Sequence, residues 1–175
     1  MEFAQAWVEI NTVNLRHNVE VIRRQTGEGV SLAGVVKGDA YGHGMLEIAR
    51  CLSGPHGVDM LVAGTINEGI KLREAGISTP VLLLSPLDAG QQSMANGRNF
   101  NMTQKTVLDA LVEYELIPSV YTVQFAWEFN RKCLERGKKM KVHLRADTNR
   151  SGYGFPAPRL GEVFQQLDSL SGLEI

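Results

Sequence analysis

The residues best placed to do chemistry form one ten-residue word, Val35-Val36-Lys37-Gly38-Asp39-Ala40-Tyr41-Gly42-His43-Gly44. A lysine closes an apolar run, and Gly38, Gly42 and Gly44 follow it. If the run is a strand of a βα barrel, Lys37 stands at its C-terminal end, where such folds build their active sites. Flanked by Val35 and Val36, its amine is expected to be partly desolvated. Desolvation disfavours an ammonium ion, and a neutral amine is what a Schiff base with an aldehyde requires. The glycines remove side-chain bulk, so backbone can approach a phosphate or a ring closely. Tyr41 offers a phenol to a phosphate oxygen. On position alone, a lysine at a strand end is more often a solvated edge residue, and three glycines can simply make a turn.

Five apolar runs bounded by glycine or proline read as buried parallel strands: Ser31–Lys37, Met60–Gly64, Val81–Ser85, Ile117–Tyr121 and Lys141–Ala146. Amphipathic spacing predicts helices over Asn14–Gln25, Met45–Leu52, Ile66–Ala75, Thr103–Tyr114, Val123–Arg136 and Pro158–Leu170. Thr103 is a candidate N-cap, and Gly76 and Gly137 are candidate terminators. Asp88–Asn101, polar and rich in Gly and Asn, reads as a long loop. Gly172-Leu173-Glu174-Ile175 reads as the opening of a sixth strand. Strand–helix alternation with short connections implies right-handed crossovers and a parallel sheet, either doubly wound or a TIM barrel. Gly27-Glu28-Gly29 precedes the first strand, so it reads as a turn and not as a dinucleotide fingerprint.

The 175 residues carry a formal net charge of -1 and are 43% hydrophobic, which gives no bulk attraction for nucleic acid or an anionic membrane. No apolar run approaches the roughly 20 residues that cross a bilayer. The opening Met1–Glu9 lacks the basic and apolar regions of a signal peptide, and a cytoplasmic protein is expected. Cys51 and Cys133 lie far apart, each in a predicted helix, and read as reduced thiols with no metal site. His17 and His56 read as surface residues, and His143 as a core or barrel-lining histidine. Trp7, Trp127 and the six phenylalanines read most simply as core.

The word VVKGDAYGHG resembles the cofactor-attachment motif of alanine racemases, usually VVKADAYGHG or VVKANAYGHG. Ala6-Trp7-Val8-Glu9-Ile10-Asn11 with Leu15-Arg16-His17-Asn18 is similar to the family's opening strand and first helix. Glu68 to Gly76 is similar to its second helix, and Pro80-Val81-Leu82-Leu83-Leu84 to its third barrel strand. The resemblance implies an α/β fold, a TIM (β/α)8 barrel of the type that binds pyridoxal 5'-phosphate (PLP), with about five to six strands present. Residues 1–175 would be the N-terminal portion of that domain, without its later strands and the β-rich domain that follows. By the same resemblance Lys37 forms the Schiff base with PLP and moves the α-proton, and Tyr41 binds the cofactor phosphate. The resemblance also implies that the substrate is alanine, that the product serves cell-wall peptidoglycan and that the complete protein is a homodimer. The second base, a tyrosine of the partner subunit's C-terminal domain, has no counterpart here. The chain alone is expected to be inactive.

A second segment, His143-Leu144-Arg145-Ala146-Asp147-Thr148-Asn149-Arg150-Ser151-Gly152-Tyr153-Gly154-Phe155, resembles the family's HLKVDTGMxRxGF. There an arginine contacts the PLP ring oxygen and helps place the substrate carboxylate. With two residues deleted after Thr148, Arg150 takes that part; without a gap, Gly152 occupies the column and the arginine is lost. Arg145 stands where many members have a carbamylated lysine, a part that a permanent cation cannot play. Asp147 is then a candidate partner for Arg150, or Arg145 and Asp147 form a structural pair. Two other readings fit the lysine chemistry: a neighbouring PLP-barrel racemase or decarboxylase, and a non-enzymatic PLP-binding protein of cofactor homeostasis.

Overall fold

A computed structural model describes residues 7–27, 29–87, 104–148 and 154–175 of the chain. The predicted loop over Asp88–Asn101 and the predicted cap Thr103 lie outside them. Helices and strands alternate from the start. α1 (Thr12–Thr26) precedes β1 (Ala33–Val35), and a short helical segment, α2 (Lys37–Gly42), leads into α3 (Met45–Leu52). Then come β2 (Met60–Ala63), α4 (Ile66–Glu74), β3 (Val81–Leu83), α5 (Gln104–Glu113), β4 (Ile117–Val120) and α6 (Val123–Glu135). The predicted fifth strand is divided into β5 (Met140–Lys141), β6 (His143–Leu144) and β7 (Ala146–Asp147). β8 (Phe155–Pro156), a 3-10 turn over Ala157–Arg159, α7 (Leu160–Leu167) and β9 (Leu173–Glu174) complete the described chain.

All pairings are parallel, and neighbours follow sequence order: β1 on β2, β2 on β3, β3 on β4, β4 on β6. The fifth strand is divided because its two ends serve different neighbours. His143 and Leu144 pair with β4, while Met140 and Lys141 pair with β9. The Val142 amide continues that second pairing by donating to the Glu174 carbonyl. Such an offset is the stagger a closing barrel needs. The sheet is therefore an arc of a (β/α) barrel, and the sixth strand anticipated at Leu173 is present.

Period-two alternation gives the arc two unlike faces. Val36, Leu61, Ala63, Val81, Leu83, Val120 and Val142 lie on the outer face and are buried. There they meet Leu72 of α4, Leu111 of α5 and Phe129 and Cys133 of α6, all fully buried. The residues between them, Val35, Lys37, Lys141 and His143, are exposed on the inner face. His143 is thus a lining residue of an open face and not a core histidine. Trp7 and Trp127, expected in the core, are 73% and 56% exposed. On α6 the buried stripe is Phe125, Ala126, Phe129 and Cys133, and Trp127 lies off it.

Charged groups fasten helices to one another. Asp109 of α5 receives Arg136 at 2.7 Å and Lys132 at 3.2 Å. Those cations hold its carboxyl below the ordinary range, as the Leu32 amide does for Asp59 and Lys138 for Glu115. A carboxylate whose folded pKa is depressed stabilises above its unfolded pKa and loses that contribution as pH falls through the folded value. The thermal midpoint is therefore expected to be flat from about pH 7 to 5 and to fall below about pH 4. A midpoint independent of pH down to about 2 would contradict this reading.

Burial pushes the Cys133 thiol up to about 11. Thiolate is the reactive species, so iodoacetamide at about pH 8 is expected to leave Cys133 unmodified in the folded chain and to label it in urea. Equal labelling in both, by peptide mapping, would show that α6 is not packed as described.

Candidate functional site

Beyond Val35 the backbone departs from what the sequence pattern predicts. Gly38, Asp39, Ala40 and Tyr41 have φ of 60°, 56°, 52° and 55° with ψ between 36° and 48°. This is one turn of left-handed helix. Glycine tolerates the conformation, but each of the three other residues costs roughly 1–2 kcal/mol there. Strain of that kind persists only where surroundings over-determine it, and it concentrates at functional sites.

The pins are visible. The Ala40 amide donates to the Val36 carbonyl at 2.8 Å, and Ala40 is 5% exposed, so its methyl sits in the core. The Asp39 carboxylate accepts the Met45 amide at 2.7 Å, capping α3. His43 Nδ1 lies 2.8 Å from the Ala40 carbonyl, which can only accept, so that nitrogen carries the proton. Upstream, the Val36 amide donates to the Val62 carbonyl at 2.9 Å. His43 therefore has a structural partner.

Lys37 stands at the junction of β1 and this turn and is exposed. The expected partial desolvation is not provided by the described residues: only its stem is packed. A Cβ placed on Gly64 would lie 3.3 Å from Lys37 Cβ and 3.1 Å from Glu68 Oε2. Glycine at 64 is what lets the end of β2 accept the lysine stem. Around Gly38, Gly42 and Gly44 an added Cβ would meet nothing within 4 Å, so the space beside the turn is open. Tyr41, in the turn itself, is 65% exposed.

The neighbouring strand ends add further groups to the inner face. Leu84 and Ser85 continue the pairing of β3 by donating to the carbonyls of Ala63 and Gly64 at 3.0 and 2.9 Å. The Tyr121 hydroxyl, just beyond β4, donates to the Leu84 carbonyl. Burial raises the Tyr121 phenol above its ordinary value, opposed by the positive charge of Arg145. Arg145 follows β6, and its amide donates to the Val120 carbonyl at 3.0 Å. Asp147 is half-buried. Lys37, Gly64, Leu84, Tyr121 and Arg145 thus follow the ends of β1, β2, β3, β4 and β6 on one rim. Arg150 lies outside the described residues, with the rest of 149–153.

Two rim residues were not singled out from the sequence. Tyr121 carries no local signal, being one aromatic residue after an apolar run. Glu68 does have one. Thr65-Ile66-Asn67-Glu68 fits the capping-box pattern, and both of its hydrogen bonds are formed at the start of α4.

Residues 10–175 match the family model described as alanine racemase, N-terminal domain. The alanine racemase of Synechocystis sp. is 34% identical over 171 residues, 98% of this chain and 42% of that protein. Alanine racemase 1 of Caldanaerobacter subterraneus is 33% identical over 148 residues, 85% of this chain and 34% of that protein. Among solved structures, the alanine racemase of Clostridium difficile 630 superposes with a TM-score of 0.77 at 27% identity, covering 93% of this chain and 38% of its own. That of E. faecalis gives 0.73 at 26%, covering 94% and 40%. The chain spans about two fifths of the length of the relatives it matches.

Proposed function

Because the chain belongs to the alanine racemase N-terminal domain family, we propose that it contributes the lysine-bearing arc of a PLP-dependent barrel that interconverts L- and D-alanine. The observation that carries the reading is Lys37. It is a primary amine at a barrel strand end, held beside a strained left-handed turn, with open space at three glycines around it. The donor set fits PLP: an accessible amine for the aldehyde, and the exposed phenol of Tyr41 for a phosphate oxygen.

When bound, PLP acts as an electron sink that stabilises a carbanion at the substrate α-carbon. Lys37 holds the cofactor covalently and serves as one of the two groups that remove and return the α-proton. Tyr41 anchors the phosphate. Arg150 orients the cofactor ring and the substrate carboxylate. The fixed cation of Arg145 on the same rim adds attraction for a carboxylate. The second proton-transfer group comes from the partner subunit of a homodimer, through the part of the protein that the relatives carry beyond these residues. D-alanine so formed serves peptidoglycan synthesis.

On this reading the 175 residues alone do not turn over alanine, and joining them to the remaining three fifths of a relative's chain restores turnover. The test is D-alanine formation from L-alanine with added PLP. Turnover by the 175 residues alone would contradict the division of labour. A completed chain that binds PLP without racemising alanine would contradict the activity.

A further inference from the structure

The capping box at the start of α4 uses its carboxylate more fully than a helix cap requires. One oxygen of Glu68, Oε2, accepts the amides of Gly64 at 2.7 Å and Thr65 at 3.1 Å. That oxygen alone completes the cap, with Thr65 Oγ1 accepting the Glu68 amide at 3.3 Å. The other oxygen, Oε1, accepts the amide of Gly38 at 2.8 Å, thirty residues away in sequence. Gly38 follows Lys37 directly and is the first residue of the left-handed turn.

We infer that Glu68 is a positioning residue for Lys37, its second carboxylate oxygen fixing the Gly38 amide so that the strained turn and the lysine keep one orientation at the mouth of the barrel. The other polar pins of the turn are local: Asp39 on Met45, His43 on Ala40, Ala40 on Val36. They fix the turn's internal shape. Glu68 is the side chain that ties the start of the turn to the next strand, and it does so beside the Lys37 stem, where Gly64 leaves room for both. A hydrogen bond to a charged acceptor is about twice as strong as a neutral one. It is therefore suited to holding a turn that otherwise relaxes toward right-handed backbone.

The functional consequence rests on the proposed role of Lys37, so the test separates the two. Glu68→Gln keeps one carbonyl oxygen for Gly64 and Thr65 but turns an amide NH2 toward Gly38, which cannot accept. The direct readout is amide hydrogen exchange in the 175-residue chain without cofactor. The Gly38 amide is expected to be protected in the unmodified chain and to exchange about tenfold faster or more in Glu68→Gln, with Gly64 and Thr65 little changed. The second readout is PLP with borohydride trapping, taken as the ratio of adduct on Lys37 to adduct on Lys138, Lys139 and Lys141 of the same molecules. That ratio is expected to fall about tenfold in Glu68→Gln, with a thermal midpoint close to that of the unmodified chain.

An unprotected Gly38 amide in the unmodified chain, or one whose exchange Glu68→Gln leaves unchanged, overturns the inference whatever PLP does. So does an adduct ratio that favours Lys37 in the unmodified chain and survives the substitution. A protected Gly38 that Glu68→Gln frees, in a chain whose lysines all react alike, upholds the clamp and overturns the role given to Lys37. Should Glu68→Gln fail to fold, protection of Gly38 in the unmodified chain still decides: absent, it overturns the inference; present, with Glu68→Ala freeing it, it supports it.

Discussion

Replacing Lys37 by alanine in a completed chain is expected to lower D-alanine formation from L-alanine by about three orders of magnitude or more. The substitution removes two things at once, the amine that holds PLP and a proton-transfer group, and general acid–base catalysis alone is worth about 10²–10⁴-fold. Stability should hardly change. Lys37 is exposed, with its stem beside Gly64, and exposed substitutions of this kind stay within about 0.5 kcal/mol. Loss of turnover with an unshifted thermal midpoint separates a chemical role from a structural one. A Lys37→Ala chain that keeps a tenth or so of its turnover would place the chemistry elsewhere.

The largest effect on folding is expected from Arg73→Ala. The Arg73 guanidinium is half-buried and serves four main-chain carbonyls. Nη1 donates to Ile77 and Thr79 at 2.7 Å each, Nε to Tyr114 at 2.9 Å, and Nη2 to Glu115 at 3.2 Å. It therefore joins the exit of α4 to the turn between α5 and β4. Glu115 in that turn has a positive φ of 49°, a conformation that needs outside support. Burial makes the Arg73 cation harder to keep than an exposed one, partly offset by Glu115. Removing it is expected to cost about 3 kcal/mol, since two of its charged hydrogen bonds at about 1.5 kcal/mol each outweigh what water can replace. For a chain of this length that is a fall of roughly 6–12 °C in thermal midpoint. Arg73→Lys should recover only part, because an ammonium has no planar fork. A shift of less than about 2 °C in Arg73→Ala would mean that these carbonyls are served well enough by solvent.

Much of the frame was legible because periodicity carries it. The helix over Met45–Leu52 has the observed bounds, the predicted α4 and α6 segments start as observed and run one residue longer, and α1 extends two residues earlier and one later than predicted. Gly76 ends α4 region with φ of +79°, as its place in the pattern suggested. What periodicity does not carry is hand and stagger. Asp39, Ala40 and Tyr41 are left-handed without being glycine, so nothing in their types announces it; external pins impose it. This is also why β1 stops at Val35 and Lys37 stands just past the strand, exposed. The split of the fifth strand comes from a barrel stagger that one strand's sequence does not encode. The burial of Trp127 was misjudged because α6 buries the Phe125–Phe129 stripe, its rings 6.0 Å apart, and aromatic type alone does not say which stripe that is. The resemblance located Lys37, Tyr41 and Arg150 by motif. The structure describes the first two, adds Glu68 and Tyr121 to their surroundings, and leaves Arg150 outside the described residues.

The most direct test of the account is to incubate the purified chain with PLP, reduce with borohydride and map the modified lysine by mass spectrometry. One dominant adduct on Lys37 is the predicted result. It would mean that the amine at the end of β1 is selected over all others by the turn that holds it. Adducts scattered over Lys132, Lys138 and Lys139 with no preference for Lys37 would contradict the account, because the arc of barrel would then supply no cofactor site.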